Sequence, residues 1–400
     1  MPSMTGSITR LLILCVAALP LAQAQDAPPL PVVVGAVVSQ SGPHADLAAD
    51  YRKALLLWQD EVNAAGGLLG RRVELRLLDD GSAAARCAPL YTQLIRDEKA
   101  ELLIGPYGSA ATRVAGAETE RQRRVMINGA GPAHVVHKGP TRYLFQSGAP
   151  YATHGVGVLE LAQAQGLKTL FILARDELAS REMAEAARAA ALSQGFAAGE
   201  IEAYRGSTTD FSLQVAKAQA AQADAWIAFG EARDAADMVK SLKRAGYAPR
   251  LFFARKATDP AFVAAVGQDA EFSLGAIEYD ARLATPANAG FAKAFAAKWS
   301  APPGPGAAEG YAAATVLAEA VRRAGSFDQE KLRATLARLE TGTVLGPYKV
   351  DAASGEQVGI KPAVAQIQRG RPEVVWPNAL QTARPLLAYP QWSERRLLTN

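Results

Sequence analysis

The sequence predicts an α/β protein of two similar lobes, each a largely parallel sheet flanked by helices. Three observations predict it. Strand, small polar or glycine-bearing loop, and helix recur at nearly every step from Val32 onward, and the rhythm restarts after Ser147 with the same element order. The strand candidates are continuous apolar runs without polar alternation, of which Val32-Val33-Val34-Gly35-Ala36-Val37-Val38 is the clearest. Such runs suit strands covered by helices on both faces. Finally, 400 residues with 49% hydrophobic and 20% charged side chains supply two or three domain cores, which excludes a disordered or fibrous chain.

Taken in order, Pro-rich residues 26–31 read as an extended lead-in to a strand over 32–38, broken by Ser39-Gln40-Ser41-Gly42-Pro43. A helix over 48–63 stops at Gly66-Gly67, as glycine ends helices. A strand over 73–78, a turn at Asp79-Asp80-Gly81 and a helix over 83–97 follow, then a strand over 101–104. Gly105-Pro106-Tyr107-Gly108-Ser109 leads into a helix from Ala110, and a strand over 125–127 leads into Asn128-Gly129-Ala130-Gly131-Pro132. The second lobe carries strands over 169–173, 201–204, 225–229, 250–254 and 275–279. Its helices span 178–194, 211–221 (capped by Thr209-Asp210) and 232–245. Helices over 287–299, 307–324 and 328–340 come next, with strands over 348–350 and 364–375 around Arg369-Gly370.

The N-terminus carries one charge, Arg10, ahead of Asp26, and then an apolar run over 11–21 that ends in Ala22-Gln23-Ala24. A positive start, a short apolar stretch and small residues before the cut site are the pattern of a secretory signal peptide over 1–24, cleaved near Ala24. The run is too short to span a bilayer. Removing it takes Cys15 away and leaves Cys87, which has no partner for an internal disulfide and is expected as a structural thiol in a helix.

Catalytic signatures are missing. No CxxC, HExxH, GxSxG or GxxxxGK[ST] occurs, and Gly155-Val156-Gly157 meets Glu160 where a dinucleotide fingerprint needs its third glycine. His134 and His137 lie in a Gly/Pro-flanked loop and are expected as loop residues, so neither a metal nor a cofactor is expected. Arg121-Gln122-Arg123-Arg124 suits a helix C-terminus. Net charge is +4, from 43 basic and 39 acidic residues spread along the chain, and no basic tract interleaves with aromatics. Nucleic acid is therefore not an expected partner. A chain this long without a nucleophile, general base or metal cluster reads as a binder, not an enzyme.

The loops after the strands point to what is bound. In doubly wound sheets, ligands sit beyond the carboxyl ends of the strands, where loop amides and helix N-termini converge. Here those loops are Ser41-Gly42, Gly108-Ser109 and Asn128-Gly129-Ala130-Gly131. Glycine lets backbone N–H groups approach an anion, and a serine hydroxyl adds a donor. The first lobe is expected to offer a carboxylate cradle.

Several ordered segments resemble the periplasmic branched-chain amino-acid-binding proteins, the type I solute receptors of ABC importers. They are Ser41-Gly42-Pro43, Val62-Asn63-Ala64-Ala65-Gly66-Gly67-Leu68-Leu69-Gly70, Leu78-Asp79-Asp80, Ile104-Gly105-Pro106-Tyr107-Gly108-Ser109, Glu309-Gly310-Tyr311-Ala312-Ala313 and Leu345-Gly346-Pro347-Tyr348-Lys349-Val350-Asp351. The resemblance implies a two-lobed Venus flytrap with three hinge crossovers, near Ser147, Tyr279 and Leu345. The first lobe is then 31–147 plus 280–345, and the second 148–279 plus 346–390. It also implies a monomer in the periplasm, a small-molecule ligand between the lobes and an inner-membrane ABC permease as partner. A sensory receptor on the same fold is the alternative.

Carried over by position, the family's carboxylate-binding serine matches Ser109 and its backbone donor Ala130. Its next threonine falls at Pro132, which has no N–H. The first-lobe aromatic falls at Leu47, the second-lobe stacking tyrosine at Ala179, and the acid that holds an amino group at Lys256. With the strand-end loops, the expected ligand-binding set is Ser41, Tyr107, Gly108, Ser109, Asn128, Gly129, Ala130 and Gly131 from one lobe. Arg175, Glu231 and Lys256 come from the other. A ligand without a free α-amino group is expected if Lys256 faces it, whereas Glu231 would take an ammonium if Lys256 points to solvent.

Overall fold

The computed structural model describes residues 29–139 and 141–394, and the signal peptide expected over 1–24 lies outside them. β1 (Val32–Val37), the unbroken apolar run, lies inside a sheet between β2 (Val73–Leu78) and β3 (Leu102–Ile104). β4 (Met126–Asn128) and β5 (Leu144–Gln146) complete the order β2-β1-β3-β4-β5, with every pair parallel. β2 is an edge strand, and its mixed sequence, with Glu74 and Arg76, leaves it half-buried beyond Val73. Parallel strands need crossover helices, and α1 (Ala45–Ala64), α2 (Cys87–Arg96) and α3 (Ser109–Arg121) supply them. On α1 the buried Tyr51, Leu55, Trp58 and Val62 recur at helical spacing and fill the core against β1.

The chain then passes to a second sheet. α4 (Val156–Ala164) precedes β6 (Thr169–Arg175), α5 (Leu178–Ser193), the short β7 (Ala197–Ala198) and β8 (Glu202–Tyr204). α6 (Ser212–Ala220), β9 (Ala225–Phe229), α7 (Ala232–Arg244), β10 (Leu251–Ala254), α8 (Pro260–Val266) and β11 (Leu274–Ile277) follow. At β11 the chain returns to the first lobe with α9 (Asn288–Trp299), α10 (Pro305–Ala324) and α11 (Gln329–Leu336). Phe291 and Phe295 of α9 pack against Ala54 and Leu57 of α1, which is what seats α9 there. α10 lies so close to α1 that a Cβ on Gly310 would stand 2.8 Å from the Tyr51 carbonyl oxygen.

A hairpin of β12 (Thr341–Thr343) and β13 (Gly346–Tyr348) comes next, and β14 (Ala363–Gln368) and β15 (Arg371–Trp376) finish the second sheet in antiparallel fashion. Its order is β15-β14-β11-β10-β9-β6-β7, with β8 also on β6. The architecture is the type I flytrap: two α/β lobes and three crossovers. The third crossover comes later than the sequence reading near Leu345. Tyr348 and Val350 are buried in the first core, and the Gln146 N–H donates to the Gly355 carbonyl at 2.9 Å. The passage therefore lies between Gly355 and Ala363.

The expected elements recur with shifted ends. The helix over 83–97 opens as a 3-10 turn over Ala84–Arg86, and the strand over 348–350 is displaced to β13. β5, β7, β12, α4 and α8 are elements that the sequence reading does not include. Cys87 is free and buried beside Asp80, and burial first, with Asp80's charge, pushes its thiol up to about 12. No helix among the described residues is long and apolar enough to cross a membrane.

Candidate functional site

A cavity of about 420 Å³ lies between the lobes, beyond the carboxyl ends of β3, β4, β10 and β11. Its first-lobe wall is built by two loops that brace each other. After β3, Gly108 takes φ 90°, a left-handed value natural to glycine, and turns the chain straight into α3 at Ser109. The opening N–H groups of a helix have no intrahelical carbonyl to bond, so this turn presents free donors and the positive end of the helix dipole. The Gly108 N–H donates to the Ala130 carbonyl at 2.9 Å, and Tyr107 forms a β-bridge with Ala130. Ser109 Oγ accepts the Ala133 N–H at 3.1 Å, which leaves its own hydroxyl proton to donate. Asn128, fully buried, closes the second loop by giving its amide to the Gly131 carbonyl at 2.9 Å and accepting the Gly131 N–H at 2.8 Å.

The opposite wall is charged. Arg255 follows β10 and donates to Glu278 Oε1 at 3.0 Å, and His154 lies 3.7 Å from the same carboxylate. Lys256 faces the cavity beside them, with no ion-pair partner among the described residues. Burial by itself raises the Glu278 carboxyl, but His154, Arg255 and Lys256, with the Arg255 hydrogen bond, bring it down to about 2. Burial drops His154 to about 4 in spite of Glu278, so at pH 7 the ring is neutral and the positive charge beside Glu278 comes from Arg255 and Lys256, the ring adding its own only in acid. Glu309 on α10 behaves oppositely. Burial, and then the Glu278 charge, raises it well above the ordinary carboxylate range, and it lines the same cavity. Tyr107 and Tyr151 add aromatic faces, and the Arg255 guanidinium stands 6.0 Å over the Tyr151 ring.

Of the residues expected from the sequence, Tyr107, Gly108, Ser109, Ala130 and Lys256 line this cavity, as do Leu47 and Pro132. The others sit elsewhere. Ser41 is held by Asp79, to which its hydroxyl donates at 2.6 Å, and that bond with the Gly81 N–H pulls the Asp79 carboxyl down to about 2. Asn128 and Gly131 shape the loop without lining it, and Gly129 packs against α10, where a Cβ would stand 2.7 Å from the Glu309 carbonyl oxygen. Arg175 is engaged by Asp234 and Glu177, each at 3.3 Å. Glu231 caps α7, with the Asp234 carboxylate accepting its N–H at 2.9 Å. Ala179 is not among the lining residues either.

The sequence reading missed Tyr151, His154, Arg255, Glu278 and Glu309. Arg255 and Glu278 do stand one residue beyond β10 and β11, the strand-end position that marks sites in such sheets. Glu309 opens a segment quoted above for its family resemblance. His154 and Tyr151 carried no local signal.

The fold is shared with known proteins. A protein named for a branched-chain amino acid ABC transporter from Rhodospirillum rubrum superposes with a TM-score of 0.79 at 21% identity, covering 86% of this chain and 100% of that one. A solute binding protein of an ABC transporter from Rhodopseudomonas palustris BisB5, in complex with 3,4-dihydroxy benzoic acid, gives 0.68 at 18%, covering 91% and 99%. An amino acid binding protein of Pseudomonas aeruginosa is 22% identical over 220 residues, 55% of this chain and 59% of that protein. The chain thus matches somewhat under two thirds of that relative's length. Residues 31–372 match the family described as Periplasmic binding protein. With a two-lobed type I fold and a family match over most of its length, this chain belongs to the periplasmic binding proteins.

Proposed function

We propose that this chain is the solute receptor of an ABC importer and that it holds a small carboxylate-bearing solute lacking a free α-amino group between its lobes. One observation carries this reading. Donors for an anion stand on both walls of one cavity, with Ser109 and the start of α3 on one side and Arg255 and Lys256 on the other. The position where the family resemblance puts an acid for an ammonium is a lysine, and Glu231, the other candidate for that task, is not among the residues that line the cavity. A like charge at about 4 Å would cost an ammonium on the order of 4 kcal/mol at an effective dielectric of 20. A dicarboxylate or an aromatic acid meets both walls, and the Rhodopseudomonas palustris protein has a benzoic acid bound on this fold. Because the ligand touches both lobes, it favours their closed arrangement, the form a permease would recognise. The chain binds its solute without transforming it.

A zwitterionic amino acid is the second reading. It is favoured by the Glu278 carboxylate at the same cavity and by the amino-acid-binding relative from Pseudomonas aeruginosa. Calorimetric titration of the mature protein with leucine, 4-methyl-2-oxopentanoate, succinate and benzoate separates the two. Tight binding of leucine with no response to the three acids would overturn the first reading in favour of the second. A thermal-shift screen adds breadth, since a ligand at 100 times its Kd stabilises by about 2.7 kcal/mol.

A further inference from the structure

Three consecutive residues of the loop after β4 are bonded to three different parts of the molecule. The Pro132 carbonyl accepts the Tyr151 N–H at 2.9 Å, just past the first crossover. The Ala133 N–H donates to Ser109 Oγ at 3.1 Å. The His134 N–H donates to Glu182 Oε1 at 2.7 Å, and Glu182 belongs to α5 in the second lobe. The His134 ring is bound as well, with Nδ1 at 3.1 and 3.0 Å from the two oxygens of Glu356. Glu356 stands in a loop that stays with the first lobe, because Thr141 Oγ1 donates to the Ser354 carbonyl at 2.9 Å and Gln146 N–H to Gly355. α5 itself is fixed in the second core by the buried Met183, Ala184 and Ala187, so Glu182 moves with that lobe.

We propose that Glu182 is a positioning residue for the ligand cradle. By accepting the His134 N–H across the seam between the lobes, it holds the Pro132–His134 segment, and through Ala133 the Ser109 hydroxyl, in register with the second lobe. The position of one lobe is thereby read at the carboxylate contact of the other. A carboxyl oxygen accepts this bond whether or not the group is ionised, so the link requires an acceptor and not a charge. Its consequence for affinity rests on the reading of Ser109 as a ligand contact, whereas the link itself can be tested without ligand.

The experiment compares the ligand-free parent with Glu182→Ala, Glu182→Asp and Glu182→Gln. It follows the exchange of the His134 amide hydrogen and the distance between spin labels at Arg96→Cys in the first lobe and Leu192→Cys in the second, both at exposed positions. A hydrogen bond that needs only an acceptor protects its amide by about 2- to 10-fold. Glu182→Ala is therefore expected to exchange about 2- to 10-fold faster at His134 and to broaden the distance distribution. Glu182→Gln, which keeps the acceptor, should match the parent in both. Glu182→Asp, one methylene short, should behave as the alanine variant does and serves in its place if that variant fails to fold.

Unchanged exchange in the alanine and aspartate variants would overturn the proposal. So would faster exchange without any change in the distances, or a glutamine variant that fails as the alanine one does. If the proposed ligand class is itself wrong, the parent will fail to bind the acids, and the exchange and distance results still decide the role of Glu182.

Discussion

Arg255 donates to Glu278 at 3.0 Å, joining the ends of the neighbouring strands β10 and β11 where the chain leaves the second lobe. The pair serves two ends. It ties the second crossover to the sheet, and it engages the Glu278 carboxylate so that Lys256 stands beside it without an ion-pair partner among the described residues. A cation in that state, on the wall opposite a helix N-terminus, is where a second anionic group of a ligand would be met.

Ser109→Ala is expected to leave the fold intact and weaken ligand binding. The hydroxyl accepts from Ala133 and has its proton to give, so its loss removes one hydrogen bond to a charged group, roughly 1.5–3 kcal/mol, or about 10- to 150-fold in Kd. Calorimetry against whichever acid binds the parent makes the measurement. A Kd equal to the parent's would remove Ser109 from the contact.

Lys256→Ala should selectively weaken ligands that carry a second anionic group. The cost for such a ligand is again about 1.5–3 kcal/mol, while a monocarboxylate that engages only Ser109 should be affected less. Comparing succinate with a singly charged acid in both proteins reads the difference. Leucine that binds tightly to both proteins alike would refute the role given to Lys256.

The buried histidine predicts a pH dependence. His154 titrates at about 4 in the folded protein and near 6.5 when unfolded, so between those values the unfolded chain takes up a proton that the folded one refuses. Stability should therefore fall as pH drops from about 6.5 to 4, by on the order of 3 kcal/mol, and this contribution then levels off. Glu278, lowered to about 2, contributes stability above the usual carboxylate range that is lost only as pH falls further toward 2. Urea unfolding midpoints at several pH values should show the slope between 6.5 and 4 in the parent and a shallower one in His154→Gln. An identical slope in both proteins would assign the effect to other groups.

Gly129→Ala should destabilise the fold. Its Cβ would stand 2.7 Å from the Glu309 carbonyl oxygen and 3.1 Å from the Tyr51 ring, an overpacking that costs roughly 1–3 kcal/mol. Thermal melting tests it, and an unchanged midpoint would mean that α10 gives way freely.

Much of this molecule could be read from its residues in order. The apolar run of β1, the glycine stops and the strand-loop-helix rhythm carry the α/β class, because parallel strands buried on both faces leave a local pattern. Ser109 and Ala130 could be named as candidate ligand contacts from the chain, because their loops follow β3 and β4 directly and the family resemblance marks those two positions, and both line the cavity. Lys256, named by family position two residues beyond β10, faces it too.

Tertiary structure decided the rest. Ser41 and Arg175 are polar residues at strand ends, as Ser109 and Lys256 are, yet Asp79 and Asp234 engage them first. Whether such a side chain reaches a ligand or a neighbour depends on partners that stand 38 residues from Ser41 and 59 from Arg175, and no local pattern reports them. His154 lies more than 120 residues before Glu278 and Glu309, which come from two different lobes. Their protonation comes from shared burial and mutual charge, which exist only once the two lobes have brought them to one cavity.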